Sequence, residues 1–125
     1  MTQMTASFKA LLLAAALTLP GLAMAADPAM EKDGMLVDHA GMTLYTFDKD
    51  SGGKSMCAGE CAKNWPPLMA EAGAKAEGKW SLVKRDDGTS QWAYDGKPLY
   101  TFIMDKQAGD KTGDGKMQVW HLAKP

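Results

Sequence analysis

The chain has 125 residues, 46% of them hydrophobic, and carries 14 basic against 15 acidic residues for a formal net charge of −1. That balance excludes a nucleic-acid surface and a polyacidic tail. The length allows one domain with a modest core, which gains from any available cross-link.

Residues 1–25 read as an export signal. A polar start carrying Lys9 leads into an apolar run from Ala10 to Ala23, which ends at the small-x-small pattern Ala23-Met24-Ala25. The run is too short to span a bilayer comfortably, and Pro20-Gly21 weakens it further as a membrane helix. The first cysteine is Cys57, so no lipid-attachment site follows the run. The mature chain is therefore expected in the periplasm or secreted, with no integral membrane span after cleavage and no nucleic-acid partner. Residues 26–34 are small, charged or helix-breaking and read as a flexible leader.

From Met35 onward the chain repeats itself. Gly41-Met42-Thr43-Leu44-Tyr45-Thr46-Phe47 recurs as Gly96-Lys97-Pro98-Leu99-Tyr100-Thr101-Phe102, a displacement of 55 that also carries Asp50 onto Asp105 and Trp65 onto Trp120. Such a unit is used twice because one copy cannot bury its own apolar face. Met35 to His39 and Thr43 to Phe47 form the first expected hairpin, across Ala40-Gly41. Ser55 is placed to cap a helical turn through Cys61, and Ala and Glu predict a short helix around Leu68 to Ala76. Trp80 to Arg85, Gln91 to Tyr94 and Pro98 to Phe102 read as a three-stranded meander, its last turn the hairpin-favouring pair Asp95-Gly96. Met117 to Leu122 makes the closing strand. The expected fold is mainly β: a small antiparallel domain over 35–125, built from two pseudo-symmetric β-hairpin repeats at about 35–68 and 90–123, with at most one or two short helices.

Strand alternation points both rings of Tyr45-Thr46-Phe47, and of Tyr100-Thr101-Phe102, to one face. Tyr45, Tyr100, Trp65 and Trp120 then have two readings, a symmetric aromatic core or the walls of a ligand groove.

With these residues laid out, the chain resembles a family of bacterial secreted and lipoprotein sequences built on a Tyr-x-aromatic-x-x-Asp repeat. The motif stands here as Tyr45-Thr46-Phe47-Asp48-Lys49-Asp50 and Tyr100-Thr101-Phe102-Ile103-Met104-Asp105. Cys57-Ala58-Gly59-Glu60-Cys61, Trp65-Pro66-Pro67-Leu68 and the Arg85-Asp86-Asp87-Gly88-Thr89 turn strengthen the likeness. The resemblance implies an exported repeat protein of a family described as having unknown function. The missing lipid-attachment cysteine departs from its lipoprotein members.

Three groups of residues bear on chemistry. In an oxidising compartment Cys57 and Cys61 read first as a disulfide, their i,i+4 spacing fitting one helical turn or a tight loop. A redox pair is the other reading, although the spacing is not Cys-x-x-Cys. Seven methionines follow the signal, and Met35, His39, Met42 and Met56 offer the soft ligands that reduced copper prefers, without a tight methionine cluster. Asp110-x-Thr112-x-Asp114-Gly115 resembles half a calcium loop, but its twelfth position is His121, not Glu. No nucleotide-binding, zinc-protease or serine-hydrolase motif is present. The expectation is a non-enzymatic periplasmic or secreted accessory protein that binds a small ligand or an envelope protein. A copper-binding envelope protein is the alternative, and an enzyme ranks third.

Overall fold

Asp33-Gly34 and Asp95-Gly96 make two-residue hairpin turns, with φ of 53° and 80° in the first and 53° and 82° in the second. Positive φ at both central residues matches the twist of the flanking strands, and Asp followed by Gly is the pair that tolerates it best. The computed structural model describes residues 27–125; the expected export signal lies outside them. The first turn joins β1 (Met30–Lys32) to β2 (Met35–Val37). The second joins β5 (Ser90–Tyr94) to β6 (Lys97–Pro98), and β5 also pairs with β4 (Trp80–Lys84), giving the expected antiparallel meander order β4-β5-β6. The last strand differs from expectation in ending at Pro98, not Phe102, because Tyr100 pairs with Tyr45 and Pro67. The segment expected as a loose leader therefore differs from expectation, because β1 pairs with β2 through the Asp33-Gly34 turn. The turn expected at Ala40-Gly41 forms as well, closed by a Val37–Thr43 bridge and an Asp38 N–H to Met42 carbonyl bond of 2.9 Å.

The two copies exchange strands. β3 (Tyr45–Phe47) pairs antiparallel with β7 (Trp120–Leu122) of the other copy. Its counterpart, Tyr100 to Phe102, runs against the first copy's Asn64 to Pro67, with Thr101 N–H on the Pro66 carbonyl at 2.8 Å. The hydrogen bonds come in matched pairs. Tyr45 N–H to Tyr100 carbonyl is 2.8 Å and its reciprocal is 3.0 Å, so a pseudo-two-fold axis passes between these residues. Asp48 N–H to Val119 carbonyl at 2.8 Å is answered by Ile103 to Asn64 at 2.9 Å. Ala123 to Leu44 and Leu68 to Leu99 are both 2.9 Å. Upstream the register slips by one: Leu36 N–H meets the Ala123 carbonyl, while Trp92, not Gln91, meets that of Leu68.

Alternation along the exchanged strands separates two cores. On one side Tyr45, Trp65, Tyr100, Phe102 and Trp120 pack with Cys57; on the other Leu36, Leu44 and Leu99 pack with Ala29 and Ala123. The aromatic core is a four-ring stack crossing the axis. Trp65 and Trp120 are nearly parallel at 3.8 Å between centroids and 5°, with Phe102 stacked on Trp65 at 4.0 Å and Phe47 on Trp120 at 4.2 Å. Gly113 lies against it so closely that a Cβ there would come within 2.7 Å of the Trp65 ring. Only glycine fits.

Among the described residues α1 (Glu60–Asn64) is the one α-helix, and it starts after Gly59 without a side-chain cap. The expected helical turn capped by Ser55 and running through Cys61 does not form, because Ser55 Oγ is engaged by Arg85 and the Tyr100 hydroxyl. A 3₁₀ turn over Lys116–Gln118 occupies the equivalent place in the second copy and takes up the start of the strand expected from Met117. The helix expected around Leu68 to Ala76 is absent, a correction with a definite cause. Leu68 and Met69 are drawn into pairing with Leu99, Trp92 and Gln91, and Gly73 turns the chain at φ 86°. Cys57 and Cys61 form a disulfide with Cα atoms 5.2 Å apart, tying the buried Cys57 to the first turn of α1. No helix among the described residues is long and apolar enough to cross a membrane.

Candidate functional site

The repeated Tyr and Asp of each copy are bonded to the Asp and Tyr of the other. The Tyr45 hydroxyl donates to Asp105 Oδ2 at 2.7 Å, and the Tyr100 hydroxyl donates to Asp50 Oδ2 at 2.6 Å. The second oxygen of each carboxylate gathers its own loop. Asp50 Oδ1 accepts from Met56 N–H at 2.6 Å, and Asp105 Oδ1 accepts from Thr112 N–H at 2.9 Å and from the Thr112 hydroxyl. Each loop is thereby tied to the opposite copy.

The surroundings of the two pairs differ. At Tyr45 the hydroxyl oxygen accepts from Gly113 N–H at 3.1 Å. At Tyr100 it lies 2.6 Å from Ser55 Oγ, which accepts from Arg85 Nη1 at 2.9 Å. Because the Tyr100 proton goes to Asp50 and Ser55 accepts from Arg85, the serine donates to the tyrosine. A directed chain results, from guanidinium through two hydroxyls to carboxylate. Arg85 also donates to Gln91 Oε1 at 2.8 Å and to the Cys57 carbonyl at 2.7 Å, which fastens the disulfide loop to the meander. Burial raises the Asp50 carboxyl above its ordinary range, against the lowering pull of Met56 N–H, Tyr100 and Arg85. A half-buried chain with its donors and acceptors matched in this way acts as a clasp.

Both phenols are pushed up, first by burial and then by the carboxylate that each faces. The unfolded chain ionises tyrosine near pH ~10, whereas the native state keeps both protons above it. Stability is therefore whole below that pH and falls as pH rises beyond it. Two retained protons give a loss of about 2.7 kcal/mol per pH unit. Urea midpoints at rising alkaline pH should show this slope, halved in Tyr45→Phe or Tyr100→Phe. A slope unchanged by both substitutions would refute it.

Of the residues expected to wall a groove, Tyr45 and Tyr100 are 0% exposed, Trp65 5% and Trp120 2%. The reason is the pseudo-two-fold: each ring meets its counterpart's neighbours across the axis, and together they close a core. Of the copper candidates, Met35, His39 and Met42 belong to one strand and the turn after it, and Met56 to a different loop. Met35 is buried in β2, Met42 is on the turn after it, His39 is exposed with Nε2 2.6 Å from the Asp27 carbonyl, and Met56 is 62% exposed in the Asp50–Cys57 loop. Among the described residues no group of three or more His, Cys, Asp or Glu is placed to hold a metal ion.

Two grooves flank the structure in places related by the repeat. The smaller, about 240 Å³, lies between the Asp95-Gly96 turn and the end of β7 and is of mixed character, with His121 Nε2 2.8 Å from Asp48 Oδ2, Lys97 and Lys124 on its rim and Leu36, Leu99 and Leu122 in its wall. The larger, about 1200 Å³, lies between the Asp38–Ala40 turn and Leu68–Met69 and is walled by Trp80, Trp92 and Tyr94. These rings meet edge to face, Trp80 being 4.9 Å from Tyr94 and 6.0 Å from Trp92, and all three are partly exposed. They share the outer face of the β4–β5 hairpin, where Trp80 pairs with Tyr94 and Leu82 with Trp92, while Val83, Gln91 and Ala93 face inward. The sequence reading missed this trio. Its signal is that these rings alone, among the tyrosines and tryptophans, have no partner at displacement 55.

One sequence family matches the chain twice, over residues 29–69 and 81–124, and its description is a secreted repeat of unknown function. No curated protein and no solved structure matches it.

Proposed function

Because the chain belongs to this family of secreted repeats, whose unit it carries twice, we propose that it is an exported, non-enzymatic domain that binds a small ligand in the groove walled by Trp80, Trp92 and Tyr94. The observation that carries the reading is the division of the aromatic residues. The rings matched between copies build the aromatic core, whereas the three unmatched rings line the larger groove, Trp80 and Tyr94 also packing against the edge of the Leu36, Leu44 and Leu99 core. Its volume, about 1200 Å³, lies just above the roughly 300–1,000 Å³ of small-molecule sites, so a small ligand would fill only part of it. The matched polar network around Tyr45 and Tyr100 accounts for its members as ties between loops and copies, which supports a binding role over a catalytic one.

A fragment screen read by the tryptophan indole N–H resonances tests this. Hits should move the Trp80 and Trp92 signals and leave Trp65 and Trp120 in place, and Trp92→Ala should abolish binding while the domain stays folded. A screen whose hits all map elsewhere, or survive Trp92→Ala, would remove the groove from consideration.

A further inference from the structure

Resting on that reading of the groove, we infer that its occupant is an organic cation: a quaternary or primary ammonium, or a guanidinium, carried on a small apolar body. The groove already holds a cation of this kind. Lys79 Nζ sits over the Tyr94 ring, 5.9 Å from its centroid, within the range at which an ammonium is attracted by the negative face of an aromatic ring. Among the described residues Lys79 has no ion-pair partner, so the ring face is the contact its charge has taken.

The rim has the matching sign. Asp27, Asp38, Glu71 and Glu77 line it against Lys75 and Lys79, a surplus of carboxylate that favours a cation and disfavours a phosphate or carboxylate ligand. The backbone under Lys79 is fixed while its side chain is free to leave. Glu77 and Trp80 close a tight turn by reciprocal hydrogen bonds of 2.9 and 3.0 Å, and the Lys79 carbonyl accepts from Asp95 N–H at 2.8 Å. An incoming cation thus has only a flexible stem to displace. Lys79 acts as an internal competitor that keeps the Tyr94 face covered until a ligand takes its place.

Choline and its neutral isostere 3,3-dimethyl-1-butanol, titrated into the exported chain, differ only in charge. Choline should move the Trp80 and Trp92 indole resonances with an affinity about tenfold above the isostere's, as a cation–π contact in a partly desolvated site provides. Lys79→Met, which keeps the apolar stem and removes the competing charge, should tighten choline several-fold, and Tyr94→Leu should weaken it. Equal binding of the two probes, or choline binding unaffected by both substitutions, would overturn the cationic ligand while leaving the groove standing. Silence from choline beside groove hits in the fragment screen would do the same. Choline shifts confined to residues outside the groove would likewise overturn the cationic ligand, and with a fragment screen whose hits also map elsewhere would overturn both readings.

Discussion

Replacing Trp120 with alanine is expected to unfold the domain. The ring is 2% exposed and lies inside the four-membered stack, with Trp65 at 3.8 Å and Phe47 at 4.2 Å on its two faces and Tyr100 edge-on at 5.2 Å. Truncating a buried Trp costs ~3–5 kcal/mol, and each lost aromatic pair adds ~0.5–1.5 kcal/mol. A domain this small sits near the bottom of the ~5–15 kcal/mol range of native stabilities, so little is left. The stack also holds the exchanged strands together, since Trp120 opens β7 and pairs with Phe47 of β3. By the pseudo-symmetry Trp65→Ala should do equal damage, whereas Trp92→Ala on the groove should leave a cooperative melt. Near-ultraviolet circular dichroism and urea titration of the three variants check this. A Trp120→Ala protein melting within a few degrees of the parent would mean that the stack is not what joins the copies.

The repeat itself was legible in the sequence, and with it most of the mainly-β architecture. Displacement 55 identifies the rings that pack together, and strand alternation separates Tyr45 and Phe47 from Leu44, as the two cores do. The exchange of strands was not legible. Tyr45 has the same β character whether it pairs within its copy or with Leu122, and nothing local records which partner wins. Local propensity misled at Leu68 to Ala76, where Ala and Glu favour helix but Leu68 and Met69 complete the pairing of the second copy. The groove was legible only by subtraction. Trp80, Trp92 and Tyr94 are the rings left over when the symmetric ones are set aside. The aromatic core closes without them, and each keeps a face toward the groove while Trp80 and Tyr94 also pack on the edge of the Leu36, Leu44 and Leu99 core. Symmetry builds the scaffold here, and departures from it mark the candidate site.

Exchange between the copies predicts which pairs of substitutions are coupled. Tyr45 and Asp50 lie five residues apart in one copy, yet the bonded partner of Tyr45 is Asp105, sixty residues away. Asp105→Ala strips a buried acceptor from the Tyr45 hydroxyl and from both Thr112 donors, and should cost ~3 kcal/mol, since hydrogen bonds to charged groups are the strong ones and a buried donor left unpaired adds its desolvation. Tyr45→Phe should cost ~1–2 kcal/mol, because it also leaves Gly113 N–H without its acceptor. The double variant should fall short of the two costs added together by ~1–2 kcal/mol, because once one partner is gone the other has less to lose. Tyr45→Phe combined with Asp50→Ala should instead be additive, the two side chains sharing no hydrogen-bond partner. Asp50→Ala alone should be milder than Asp105→Ala. Tyr100 keeps Ser55 as a partner, and Met56, whose N–H is freed from Asp50, is itself 62% exposed, so water replaces the carboxylate. Urea melts of these two cycles read the topology directly. Coupling between Tyr45 and Asp50, with additivity between Tyr45 and Asp105, would mean that each copy closes on itself and that the exchanged arrangement is wrong.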